Sequence, residues 1–172
     1  YQGGFVLVTT GLAVGDVIVA GTPLVIDEAA RTATPLHVGG AYDTSGGTAT
    51  AYNVKKGHTL KVGDNLASGA IGGKAYAITA IDTTTSTLYD ILTVGTSIGA
   101  VTAGATVYAS TATGATASAL PASNGLLYEE TAIDVLGTQI SVSAVIRGTV
   151  YARRVPYTTS IAALAGLKFI IY

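Results

Sequence analysis

The hydrophobic residues of this chain come in short runs that stop too soon for helices. Val, Ile, Leu, Tyr and Thr gather at Phe5 to Val8, Asp16 to Val19, Leu24 to Ile26, Ala75 to Ile81, Leu88 to Val94 and Gln139 to Tyr151, and the runs are bounded by Gly, Asp-Thr or Pro. Such residues fit a half-buried pleated surface, and turn signals at regular spacing mark β-sandwiches and barrels. Gly39-Gly40, Ser45-Gly46-Gly47, Gly72-Gly73 and the polar run from Asp82 to Thr87 supply those signals. A helix requires apolar residues at i, i+3, i+4 and i+7, and the one stretch that offers this is Ser160 to Leu167, with Ser160 as a cap and Gly166 as a stop. Leu167 to Tyr172 then reads as a closing strand. The expectation is an all-β chain with at most one short C-terminal helix.

Two phrases are alike: Ala13-Val14-Gly15-Asp16-Val17 and Lys61-Val62-Gly63-Asp64-Asn65. Each sets a Gly-Asp turn between strand-like runs. Gly supplies a positive φ and Asp closes an Asx-type turn, so turn chemistry alone accounts for the likeness without shared ancestry. The segment from residue 51 to 110 reads as a small SH3-like β-barrel of about five short strands. Residues 111–123, rich in Ala, Thr, Ser and Gly, cannot bury a core by themselves and read as a connection. The expected organisation is an outer β module from residues 1–50 and 124–172, with the barrel inserted into it.

Length and composition bound the function. The 172 residues make one domain or two small modules, with 49% hydrophobic residues against 11% charged and a formal net charge of -1. The surface must then be mostly Thr, Ser, Gly and Ala, which suits a protein packed among neighbours in an assembly. Nucleic acid is not an expected partner, because phosphate binding rests on clustered Lys and Arg, and only Lys55-Lys56 and Arg153-Arg154 form basic pairs. No run reaches the ~18 apolar residues of a membrane span, so the chain is read as soluble and without a membrane partner. The sequence starts at Tyr1 and holds no Met, which reads as an initiating segment lying outside it. Without Cys, neither disulfides nor thiolate chemistry are available.

Catalytic groups are sparse, and the chain is read as no enzyme, with no cofactor and no metal. His37 and His58 are the only imidazoles, and neither lies in an H-x-H or H-x-x-x-H pattern or beside a carboxylate in sequence. Asp16, Asp27, Asp43, Asp64, Asp82, Asp90 and Asp134 adjoin turns or strand ends, where turn formation explains them. Glu129-Glu130 would point to opposite faces of a strand and form no dyad. No EF-hand loop is present. The run Gly69-Ala70-Ile71-Gly72-Gly73-Lys74 lacks the Ser or Thr of a phosphate loop, since Ala75 follows Lys74. Tyr residues are spread singly, and without Trp a surface for host glycans has no support in the sequence.

Two stretches carry a family resemblance. From Val54 to Val107 the run VKKGHTLKVGDNLASG, KAYAITAID, LYDILTVGTSIGAVTAGATV resembles head-fibre or capsid-decoration proteins of tailed bacteriophages that infect gut Bacteroidetes. From Asn124 to Tyr157 the run NGLLYEET, VSAVIRGTVYARRVPY resembles the segment that follows in that family. Gly21-Thr22-Pro23-Leu24-Val25-Ile26-Asp27, then Arg31, is similar to the start of the outer module and, more distantly, to small trimeric head decoration proteins. The resemblance implies a homotrimer on the outer surface of the virion, bound to the major capsid protein and reinforcing the shell or displaying exposed modules. No catalytic residues come with it. The expected interface residues are Tyr1, Phe5, Val6, Arg153, Arg154 and Tyr157. Tyr1 to Val8 would serve as an arm adding a strand to a capsid-protein edge, and one of Arg153 and Arg154 would face a partner. Two solvated charges guarding a strand edge are the other reading of that Arg pair. The alternative for the whole chain is an extracellular filament or surface-layer subunit assembling by strand exchange.

Overall fold

A computed structural model describes residues 4–68, 71–119, 122–134, 140–151 and 167–170. The chain is all-β, with no helix among the described residues. It divides into two compact units, Tyr1–Leu36 with Ala122–Tyr172, and His37–Pro121. The division falls after Leu36 rather than near residue 50, and residues 111–119 belong to the second unit rather than to a connection. The expected helix covers residues outside the described ones, apart from Leu167.

The first unit begins with β1 (Phe5–Leu7), β2 (Val17–Ile18), β3 (Pro23–Asp27) and β4 (Thr32–Pro35). The second holds β5 (Val38–Gly40), β6 (Ala51–Lys55), β7 (Asn65–Ser68), β8 (Ala75–Asp82), β9 (Tyr89–Val94) and β10 (Thr106–Ser110). The first resumes with β11 (Gly125–Leu127), β12 (Thr131–Ala132), β13 (Ser141–Val142), β14 (Ala144–Val145), β15 (Gly148–Tyr151) and β16 (Leu167–Ile170).

In unit 1 the main sheet runs β13-β1-β4-β3-β11-β14. Its two ends are one stretch of chain, since only Ser143 separates β13 from β14. That stretch pairs with β1 through Phe5↔Val142 and with β11 through Leu127↔Ala144, so the sheet wraps into a nearly closed barrel. Phe5, Leu7, Leu24, Ile26, Leu127 and Val142 fill it. The β3–β4 hairpin turns on Asp27, whose Oδ1 accepts the backbone N–H groups of Ala29 and Ala30 at 2.9 Å. Arg31 follows with φ 58°, donates from Nε to the Gly4 carbonyl at 2.9 Å and lies 5.6 Å from the Phe5 ring centre. The Gly21 to Arg31 phrase thus builds β3, its turn and the clamp that seats β1. β15 and β16 form a separate parallel pair.

Unit 2 is antiparallel throughout, in the order β5-β10-β7-β8-β9-β6. The Ala41↔Val54 bridge returns β5 to β6 and closes the barrel. The alternation along β9, with Asp90, Leu92 and Val94 turned inward, meets Val54, Leu60, Leu66, Ile78 and Val107 in the core. Tyr52 is buried, yet its hydroxyl is satisfied: it donates to the Ala49 carbonyl at 2.6 Å and accepts the Ile98 N–H at 3.1 Å. Gly39-Gly40, expected as a turn, lies in β5. The reason is space: a Cβ on Gly39 would stand 2.6 Å from Val54 Cγ1. Residues 111–119 join this unit by polar contacts rather than apolar burial. Gly114 bridges Ala75, the Ser118 hydroxyl accepts the Gly73 N–H at 2.8 Å, and the Ser110 hydroxyl accepts the Ala119 N–H at 2.9 Å.

The two Val-Gly-Asp phrases fold alike. Gly15 has φ 95° and Gly63 has φ 96°. Asp16 Oδ2 accepts the Ala13 N–H at 2.8 Å, and Asp64 Oδ2 accepts the Lys61 N–H at 2.8 Å. Gly15 donates to the Ile133 carbonyl and Ile133 to that of Asp16, while Gly63 donates to the Ile78 carbonyl and Ile78 to that of Asp64, all within 2.8–2.9 Å. The buried neighbours match too: Leu12, Ile18 and Ile133 in unit 1 stand where Leu60, Leu66 and Ile78 stand in unit 2. A Cβ at either Gly meets nothing within 4 Å, so replacing it with Ala meets backbone strain alone. Gly15→Ala and Gly63→Ala are each expected to cost about 1 kcal/mol, the left-handed penalty less the entropy gained in the unfolded chain, measured by urea unfolding. Unequal losses would show that the turns do not carry equal strain.

Candidate interaction surface

The expected interface residues fare differently. Phe5 is 3% exposed and belongs to the core of unit 1, so it is not available for a partner, a correction that follows from its inward place in β1. Val6 is half-buried, and β1 is paired on both sides, with β13 and with β4. A strand with both edges occupied offers no backbone groups for β-augmentation. The role expected of the Tyr1 to Val8 arm therefore does not fit β1 as it is folded. Tyr1, Arg153, Arg154 and Tyr157 lie outside the described residues.

Other apolar side chains face solvent. Val14 is 59% exposed and Val62 60%, each at the tip of its repeated turn, so the two units carry the same knob. Ile71, Leu88 and Tyr128 are also exposed. On the outer wall of the unit 2 barrel the Tyr42 and Tyr89 rings lie 4.8 Å apart, tilted by 33°. Beside them Asn53 Nδ2 donates to Asp43 Oδ2 at 2.8 Å. In unit 1 a cleft of about 640 Å³ is lined by Glu28, Tyr128, Ser143, Ala144, Val145, Ile146 and Arg147. The sequence held one usable signal for this surface, namely Val at the second position of each turn, a site that normally faces water.

The fold also assembles two ionic clusters that sequence spacing does not reveal. His37 Nδ1 lies 2.7 Å from Asp64 Oδ2, the same oxygen that closes the Lys61 turn. His58 Nε2 lies 3.2 Å from Asp90 Oδ2, while Lys56 Nζ sits against Asp90 Oδ1 and donates to the Thr83 carbonyl at 2.9 Å. The side chains of His58 and Asp90 are 6% and 10% exposed, and that of Lys56 is 36%. A carboxylate at an inward strand position requires such partners, since an unpaired buried charge is costly. Asp82, by contrast, is only half-buried, at the end of β8. Hydrogen bonds from the Thr85 hydroxyl and from the Thr84 backbone and hydroxyl hold its carboxyl well below the usual range. Among the described residues no three His, Cys, Asp or Glu side chains converge as a metal site, and no helix is long and apolar enough to cross a membrane.

Compared with protein-family models, curated proteins and solved structures, the chain gives no match.

Proposed function

We propose that the chain is a structural virion protein that decorates the outside of a tailed-phage capsid as a homotrimer bound to the major capsid protein. The observation that carries this reading is the ordered resemblance of the Val54 to Val107 and Asn124 to Tyr157 runs to head-fibre and decoration proteins. Two physical features fit it. The surface is poor in charge, so association with neighbours meets little electrostatic opposition. Both main sheets wrap round on themselves, and β1 is paired on each side, which leaves little backbone for open-ended strand exchange. Exposed apolar residues such as Val14, Val62 and Leu88 then supply contacts through side chains.

Light scattering on the purified protein tests the assembly. A single species of three chains that also binds undecorated shells is the expected result. Open-ended polymers would replace the proposal with a filament subunit, and a monomer that ignores shells would remove the decoration role.

A further inference from the structure

The cluster around Asp90 brings an amine, an imidazole and a carboxyl group together at one strand position. Asp90 occupies the inward row of β9 with Leu92 and Val94, and its carboxyl group is approached from both sides by different chemistry. Lys56 Nζ meets Oδ1, and His58 Nε2 stands 3.2 Å from Oδ2. The backbone fixes this meeting, because the Val54↔Asp90 and Lys55↔Tyr89 pairs lock the end of β6 against β9, and the Lys56 N–H donates to the Leu88 carbonyl at 3.2 Å. An amine held against a carboxyl group by two paired strands has the high effective concentration that turns a slow condensation into an intramolecular one.

We propose that Lys56 and Asp90 condense into an isopeptide bond that cross-links β6 to β9, with His58 stabilising the charge that develops on Oδ2. The ammonium first passes a proton to Oδ1, the oxygen it touches, giving amine and acid. The Nζ lone pair then attacks Cγ, the Cγ–Nζ bond forms, and Oδ2 becomes an oxyanion beside His58 Nε2. Nζ passes a second proton to the Oδ1 hydroxyl, the Cγ–Oδ1 bond breaks, and water leaves as Oδ2 becomes the amide carbonyl. The imidazole is unchanged, and the balance is one amide and one water from one amine and one acid. No oxidant or metal enters. The Thr83 carbonyl, already an acceptor from Nζ at 2.9 Å, is placed to receive the N–H of the new amide. The partial exposure of Lys56 gives the water an exit. The product exchanges a poorly solvated ion pair for a neutral amide, and it ties together two strands in a chain that has no Cys for a disulfide.

This inference is independent of the capsid reading, and intact mass decides it. The full chain, kept folded overnight at neutral pH and then denatured, should weigh one water less than its sequence. Digestion should give a branched peptide joining the segments that carry Lys56 and Asp90. Lys56→Arg replaces the amine with a guanidinium that is not nucleophilic at neutral pH, and it should restore the full mass. His58→Gln should slow or abolish the loss, with circular dichroism checking that each variant is folded. A wild-type chain at full mass overturns the proposal. So does a water loss that persists in Lys56→Arg, because the bond would then lie elsewhere.

Discussion

Replacing Ile133 or Ile78 with Ala is expected to lower stability by about 2–5 kcal/mol, the cost of emptying a fully buried aliphatic site that can collapse only in part. The two residues are equivalent: each is buried to within 1% and exchanges both backbone hydrogen bonds with a Val-Gly-Asp turn. They sit in different cores, Ile133 with Leu12 and Ile18, and Ile78 with Leu60 and Leu66. Hydrogen exchange followed by peptide should therefore show loss of protection near residues 12–18 in Ile133→Ala and near residues 60–66 in Ile78→Ala. Equal loss in both segments from either substitution would show that the cores unfold as one.

Gly39→Ala is the second large effect, expected at about 1–3 kcal/mol. Its backbone is an ordinary strand, so the cost is steric: the new Cβ would lie 2.6 Å from Val54 Cγ1, 3.0 Å from His58 Cβ and 3.3 Å from Leu60 Cδ1. Val54 is β-branched, buried and stiff at χ1, so its methyl group cannot swing aside. Truncating it to Ala removes the nearest atom. The double variant Gly39→Ala/Val54→Ala should lose less than the sum of the single losses, by about 0.5–3 kcal/mol in denaturant unfolding. Strict additivity would mean that the strand shifts as a whole instead.

Sequence patterning located the strands well where one face is apolar. Phe5 to Val8, Leu24 to Ile26, Ala75 to Ile81 and Leu88 to Val94 each match a strand to within one residue at either end, because alternation of buried and exposed residues leaves a mark in the sequence. It read β5 as a turn because Gly-Gly usually is one, and the constraint that places Gly39 in a strand is a neighbour fifteen residues away in sequence, Val54. Gln139 to Tyr151 read as one strand, and its described part is three short ones, β13 to β15, because a ribbon that pairs with β1 and then with β11 has to bend. Residues 111–119 were illegible as part of a barrel since they contribute hydroxyl and backbone hydrogen bonds, which leave no hydrophobic period. The pairs His37–Asp64 and His58–Asp90 were illegible for a related reason: each partner is brought in by strand register rather than by spacing along the chain.

The ribbon from Ser141 to Val145 also imposes an order of events during synthesis. Unit 2 is contiguous, so all of its strands have been made once Pro121 has been added. Unit 1 has made β1 to β4 by then, but β11, β13 and β14 are still to come, and Phe5 and Ile26 have no core to enter. Of the two units, the one that is begun first is therefore finished last. Its early strands spend the whole synthesis of the inserted barrel with apolar residues waiting for cover, the condition in which aggregation competes with folding.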